Sequence, residues 1–283
     1  MVLFVSHTEP SVITEYAFHL MGWRDDHYDP MGTAFLIAPD LLLTAKHVID
    51  DYWEKLDGRA IGEGGHGEFF CTAFQELVTG RFERYDVRKV WSPNSYWMDL
   101  AIMALDRPVA FSDSKAPSGL TINAIPPPIG SQVFAFGYHN GIATIGEDEI
   151  AISRIASTTI GIVKEIHPQG RDRLLSWPCF EVNARFEGGM SGGPVFNQQG
   201  EVCGLICRGM KFEDPTTEPL SYATMIWPML AITLDHPRPG LPPGPYPALE
   251  LARHGIITAQ NWEGVSLQLD EQGKGTAAFV GEL

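Results

Sequence analysis

The chain has 283 residues, of which 44% are apolar, 11% aromatic and only 19% charged, with 29 glycines and 21 prolines spread along it. That composition describes a globular, turn-rich protein with material for a sizeable core, and it excludes disordered and collagen-like chains. The formal net charge of −15, with no basic patch to reverse it locally, argues against binding to nucleic acid or to anionic membranes.

The start, MVLFVSHTEP, lacks a cationic region, and its apolar run is short for the core of an export signal. No later stretch reaches the ~18 apolar residues that a membrane helix needs. The expectation is a soluble, cytoplasmic protein. Helical periodicity is scarce, whereas short apolar or alternating runs bounded by Gly, Pro, Asp and Asn recur. They predict strands over 15–20, 33–37, 41–45, 69–74, 86–90 and 100–105. A proline-rich stretch over 107–130, holding Pro126-Pro127-Pro128, reads as a crossover.

Strands are predicted again over 132–138, 150–156, 159–166, 180–183, 194–196, 201–207 and 220–226, followed by a helical turn within 227–234. Tyr138-His139-Asn140-Gly141 reads as a strand-ending turn. The segment DHPRPGLPPGPYP is too rich in proline for regular structure and is expected to be an extended linker. Beyond it, 248–257 suits a short helix, and Val265, Leu267 and Leu269 alternate as in a strand. The expected organisation is an N-terminal unit over 1–110, a crossover over 111–130, a C-terminal unit over 131–234, and a linker with extension over 235–283. Two sets of about six strands make the fold all-β, as two packed barrels or sandwiches.

Four cysteines, Cys71, Cys179, Cys203 and Cys207, are few for a secreted chain. Cys203 and Cys207 are four apart on a predicted strand, ~13 Å, beyond the reach of a disulfide. No C-x-x-C or histidine cluster has zinc spacing, so buried reduced thiols and no metal or cofactor are expected. The GEGGHG stretch around His66 lacks a following Lys-Ser/Thr and a helix, so it reads as a loop and not a phosphate cradle. Trp91, Tyr96 and Trp97, just before Asp99, suit a barrel cover or a cleft rim.

Three segments carry chemistry. LLLTAKHVI ends an apolar run with His47, MDLAIMAL opens a strand with Asp99, and FEGGMSGGPVF holds Ser191 between glycines. A hydroxyl attacks a carbonyl once a base removes its proton, and a neutral imidazole does this near pH 7 when a carboxylate fixes its tautomer. Serine, histidine and aspartate supply those three roles.

Thr44-Ala45-Lys46-His47, Asp99-Leu100-Ala101-Ile102 and Gly189-Met190-Ser191-Gly192-Gly193-Pro194, in that order, resemble the three signatures of the trypsin-like serine peptidases. The resemblance covers about 15–234. It implies two six-stranded antiparallel β-barrels with the active site in the cleft between them, and peptide-bond hydrolysis through an acyl-enzyme. It assigns Ser191 as nucleophile, His47 as general base and then acid, Asp99 as the orienting carboxylate, and the N–H groups of Gly189 and Ser191 as the oxyanion hole. Secreted members carry a cysteine after the catalytic histidine, where Val48 stands, and an aspartate before the serine, where Met190 stands. That aspartate pairs with a newly cut N-terminus in zymogens, so the chain is expected to need no such cut. It looks closer to bacterial HtrA-type and other trypsin-like peptidase domains, although residues 235–283 are not recognisable as a PDZ module.

The same alignment puts the Cys207, Arg208 and Gly209 backbone against an extended polypeptide substrate. Arg185 falls near the base of the primary pocket and Phe186 along its wall, so the pocket is expected to be basic or partly filled. Arg185 could also pair with Glu187 or face solvent. Two other readings stay open: a non-catalytic protease-fold scaffold, and a processing enzyme for one partner protein with the C-terminal extension as adaptor.

Overall fold

The computed structural model describes residues 3–7, 9, 11–24, 27–57, 71–93, 97–111, 119–146, 150–210, 218–241, 244–269 and 275–280. His66 and Tyr96 lie outside the described residues. In the first half the apolar runs form strands, although residues 15 and 16 of the first predicted strand end a short helix. Strands β1 (Leu3–His7), β2 (Ala17–Arg24), β3 (His27–Ala38), β4 (Leu41–Thr44), β5 (Cys71–Glu76), β6 (Phe82–Trp91) and β7 (Ala101–Leu105) come in order, with helices α1 (Val12–Tyr16) before β2 and α2 (Lys46–Asp57) after β4. Strands β2 to β7 close an antiparallel barrel in the order β2-β3-β4-β7-β6-β5. Strands β4 and β7 are buried along their whole length. This explains why their sequences are continuous apolar runs and not alternations.

The second half contains β8 (Ile122–Asn123), β9 (Gln132–Ile145), β10 (Ile150–His167), β11 (Cys179–Val182), β12 (Pro194–Phe196), β13 (Val202–Gly209) and β14 (Ser221–Met225). Strands β9, β10, β11, β14, β13 and β12 pair in turn, and β12 pairs with both β13 and β9, so the antiparallel pairings close a second ring. Strand β10 is one 18-residue strand where the sequence suggested two. The expected turn at Asn140 is instead a bulge inside β9. Asn140 takes φ 52°, and the register with β10 shifts between Ser153 and Ile155. An asparagine tolerates that left-handed conformation, so the strand bends and continues.

Two segments depart further from expectation. The N-terminal residues form β1, which pairs with β10 from Leu3↔Ile160 to His7↔Ala156. The proline-rich stretch after β14 is tied down. Asp235 accepts from Lys89 Nζ at 2.5 Å and Trp91 Nε1 at 2.6 Å, and Arg238 and His236 both pair with Asp40. These contacts lash the segment to the first barrel. On either side of this segment β15 (Thr233–Leu234) pairs with β16 (Tyr246–Pro247), and the chain then forms α3 (Ala248–Arg253), β17 (Ala259–Gln260), and a hairpin of β18 (Val265–Leu269) and β19 (Gly275–Phe279). Strand β17 extends the second sheet through β8. Tyr246, Leu249, Leu251 and Ile257 belong to the main apolar core. Among the described residues no helix is long and apolar enough to cross a membrane.

Between the barrels, Arg154 of β10 pairs with Glu76 of β5 and lies over the rings of Tyr138 at 4.5 Å and Phe82 at 4.9 Å. Their side chains are only 9% and 12% exposed. Removing one partner of a buried pair strands the other charge, so Arg154→Ala is expected to destabilise the protein by ~3–5 kcal/mol in urea unfolding. A loss below about 1 kcal/mol would mean that the pair behaves as a solvated surface bridge.

Candidate active site

His47 is the second residue of α2, where the first helical turn leaves N–H groups without intrahelical acceptors. Asp99, just before β7, supplies one. Its Oδ1 accepts the His47 N–H at 2.9 Å, and its Oδ2 faces His47 Nδ1 at 2.8 Å. The carboxylate is buried, and a buried charge is tolerated when both oxygens are engaged in this way. With Oδ2 as acceptor, Nδ1 holds the proton and Nε2 is left as a base. Burial pulls the His47 pKa down, but the charge and hydrogen bond of Asp99, aided by Asp51 and Asp50, outweigh it and hold the ring above the ordinary 6.5.

Ser191 sits on two successive tight turns, closed by Met190 N–H to Glu187 O at 3.1 Å and Gly193 N–H to Met190 O at 3.0 Å. Gly189 takes φ +100°, a conformation that side chains rarely adopt, and a Cβ there would stand 3.1 Å from the Tyr138 carbonyl. Gly192 lies flat on the first barrel: a Cβ would meet Thr33 O and Thr44 Oγ1, both at 2.2 Å. Among the described residues, the N–H groups of Gly189 and Ser191 meet no acceptor. Met190 is fully buried, and its sulfur accepts the Glu187 N–H at 3.4 Å.

Thr33 of β3, which the sequence did not single out, joins the barrels at this turn. Its N–H donates to Ser191 O at 2.8 Å, its hydroxyl donates to Gly189 O at 3.1 Å, and the hydroxyl also accepts the Tyr138 N–H at 2.9 Å. Thr44 Oγ1 in turn donates to Thr33 O at 2.7 Å. One buried threonine thus fixes both carbonyls that flank the Gly189–Ser191 amides. A lone threonine on an apolar strand gives no signal of such a role.

The structure brings His47 and Asp99 into contact and sets Ser191 beside Cys207. Ser191 Oγ donates to the Cys207 carbonyl at 3.2 Å, and among the described residues no hydrogen bond joins it to His47. Cys207 is a bulge residue, because the β13–β14 register slips between Ile206 and Arg208. A bulge re-aims its side chain, and the Cys207 sulfur comes within 4.8 Å of ligand atoms of both His47 and Asp99. All four cysteines are free and buried. Burial pushes each thiol up, to about 12 for Cys179, and at Cys207 the charge of Asp99 adds to it.

Of the two readings open for Arg185, the structure shows the surface pairing and not the pocket base. The residue is not a buried cation at the base of a pocket: its side chain is 62% exposed, pairs with Glu187, and lies 5.2 Å over the ring of Phe4 on β1. The cause is the acid two residues along the chain, which offers the guanidinium a partner at the surface. Phe186 is buried, and its N–H donates to Ser221 Oγ at 3.2 Å. Arg208 is exposed, and a Cβ on Gly209 would stand 2.2 Å from Phe186 O. The backbones of Gly209 and Phe186 therefore touch, which leaves little width between the two segments expected to wall the pocket.

The family described as trypsin-like peptidase domain matches the chain over residues 32–205. No curated protein matches it. Among solved structures, it is similar to Deg5 (15% identity, TM-score 0.45, covering 75% of this chain and 84% of that one). Others are mouse neuropsin, titled a serine protease (12%, 0.49, 75% and 90%), and the Rv3671c protease of M. tuberculosis in its active form (17%, 0.46, 76% and 78%).

The raised pKa of His47 has a direct check. Titration of its ring signals by NMR should give a midpoint above 6.5, and Asp51→Asn should lower that midpoint, because a nearby negative charge that favours the imidazolium is removed. A midpoint already below 6.5 in the native protein would mean that burial governs this ring, and a raised midpoint unmoved by Asp51→Asn would remove Asp51 from the causes and leave Asp99.

Proposed function

We propose, from the premise that this chain belongs to the trypsin-like peptidase domain family and is a serine protease, that it is an endopeptidase working through Ser191, His47 and Asp99. The observation that carries the reading is the double grip of one buried carboxylate on the backbone and ring of His47. It leaves His47 Nε2 unprotonated on the side away from Asp99, where a base for Ser191 is needed. Ser191 Oγ attacks the scissile carbonyl as His47 takes its proton, and the imidazolium so formed is stabilised by Asp99. His47 then delivers the proton to the leaving amine, and water repeats the sequence on the acyl-enzyme. The negative charge on the substrate oxygen is met by the N–H groups of Gly189 and Ser191, with Thr33 keeping their carbonyls turned away.

In the resting chain the Ser191 proton points at the Cys207 carbonyl. Strand β13 continues past its pairing with β12, which ends at Leu205, so the Cys207–Gly209 stretch offers an edge to an extended peptide. A substrate N–H that takes the Cys207 carbonyl releases Ser191 Oγ toward His47. Substrate pairing then completes the catalytic contact. The buried methionine at position 190 offers no carboxylate to an amine, so the enzyme needs no N-terminal cleavage for activity.

Ser191→Ala, His47→Ala and Asp99→Ala should each lower peptidase turnover by several orders of magnitude. Their combination should cost little more than the worst single change, because the three groups act as one unit. Full activity in purified Ser191→Ala would remove the serine from the mechanism.

The contact between Gly209 and Phe186 and the outward turn of Arg185 together favour small side chains at the cleaved position. Digestion of an unbiased peptide library should show cleavage after Gly, Ala or Ser, with the same preference in Arg185→Ala. Dominant cutting after Lys or Arg would contradict a narrow site, and loss of an acidic preference in Arg185→Ala would restore Arg185 to the pocket.

A further inference from the structure

The bulge at Cys207 sets a thiol beside the His47–Asp99 pair, and nothing in the hydrolytic steps above uses that thiol. One ligand atom each from His47, Asp99 and Cys207 lies within 4.8 Å of the other two. The donors come from α2, from the residues before β7 and from β13, so both barrels contribute, and no spacing in the sequence could have shown it. An imidazole nitrogen, a carboxylate oxygen and a thiolate are the three donor types that tetrahedral zinc takes. Bonds of ~2.0–2.3 Å set neighbouring donors about 3–4 Å apart, so Nδ1 and Oδ2, now at 2.8 Å, would part slightly and the sulfur, within 4.8 Å of a ligand atom of each residue, would close on them.

We infer that the His47–Asp99–Cys207 cluster is a zinc site and that Zn²⁺ bound there switches the protease off; the inhibitory half rests on the mechanism proposed above. The charges balance. Zn²⁺ with one carboxylate, one thiolate and a neutral imidazole is a neutral cluster, suited to a place where Asp99 and Cys207 are 3% and 5% exposed. The protons balance too. The Cys207 thiol releases one proton to solvent, and the proton on His47 Nδ1 moves to Nε2, leaving Nδ1 to bind the metal. That tautomer is the inactive one, since an Nε2 that already carries a proton cannot take the one on Ser191. Entry is by way of His47, the one member of the cluster with a partly exposed side chain, at 30%.

The test uses the full chain in two measurements. The first is binding of Co²⁺ as a spectroscopic stand-in for Zn²⁺, read from thiolate-to-metal charge-transfer absorption in the native protein and in Ser191→Ala, which keeps all three donors. One equivalent should produce the band in both proteins, Zn²⁺ should abolish it by displacement, and Cys179→Ser should retain it. In Cys207→Ser it should disappear, with apparent Zn²⁺ affinity down by more than about 100-fold, since losing a group that only orients a ligand already costs ~10- to 100-fold. His47→Gln keeps the thiol and carries the same expectation of weakened binding should Cys207→Ser fail to fold. No charge-transfer band, or a band that survives Cys207→Ser, would overturn the site. The second measurement is peptidase activity against added Zn²⁺. A band without zinc inhibition of an active enzyme would overturn the switch and keep the site, and a band in a chain without peptidase activity would leave the site standing while removing the mechanism it was meant to control.

Discussion

Asp99 has to keep a negative charge between two barrels, away from water, and the surrounding structure can be read as the answer to that requirement. One oxygen is satisfied by the N–H at the start of α2, a position where the helix leaves donors free and its dipole favours an anion. The other is satisfied by the ring of the same residue. A single carboxylate thus anchors a helix and fixes the tautomer and tilt of an imidazole. Replacing it by a residue that met only one of these needs would leave the other donor buried without a partner.

The second constraint is that Ser191, the proposed nucleophile, belongs to the other barrel. Ser191 lies on a turn of β-barrel residues that must approach β3 and the end of β4 to within backbone contact, which is why Gly192 admits no side chain. Thr33 then locks the approach with three hydrogen bonds from a residue with no exposed surface. The buried pair of Arg154 and Glu76 and the lashing of residues 235–238 to Asp40, Lys89 and Trp91 hold the barrels at a distance from the site. Precision at the cleft is therefore distributed along the whole seam.

The main strands and the meeting of His47 with Asp99 were legible because their signals are local. Fully buried strands are apolar runs, and tight turns around Ser191 demand glycine. What stayed illegible was decided by partners far along the chain. Asn140 has the residues of a hairpin turn, yet β10 supplied a continuous partner and made it a bulge. The prolines after Leu234 exclude regular structure, but they do not prevent side chains such as Asp235 and Arg238 from finding charges on the first barrel. For Arg185 the local partner Glu187 was legible, whereas the ring of Phe4, brought in by β1 from the far end of the chain, was not. Thr33 and the Cys207 thiol owe their places entirely to the meeting of two barrels.

The most direct measurement of the account is the rate at which a fluorophosphonate probe modifies the intact protein, followed by mass spectrometry. The account predicts one adduct per chain, on Ser191, formed about 10⁴-fold more slowly in Asp99→Asn, where the fold persists but the ring loses the tautomer that accepts a proton. An adduct on another residue, or an unchanged rate in Asp99→Asn, would contradict it.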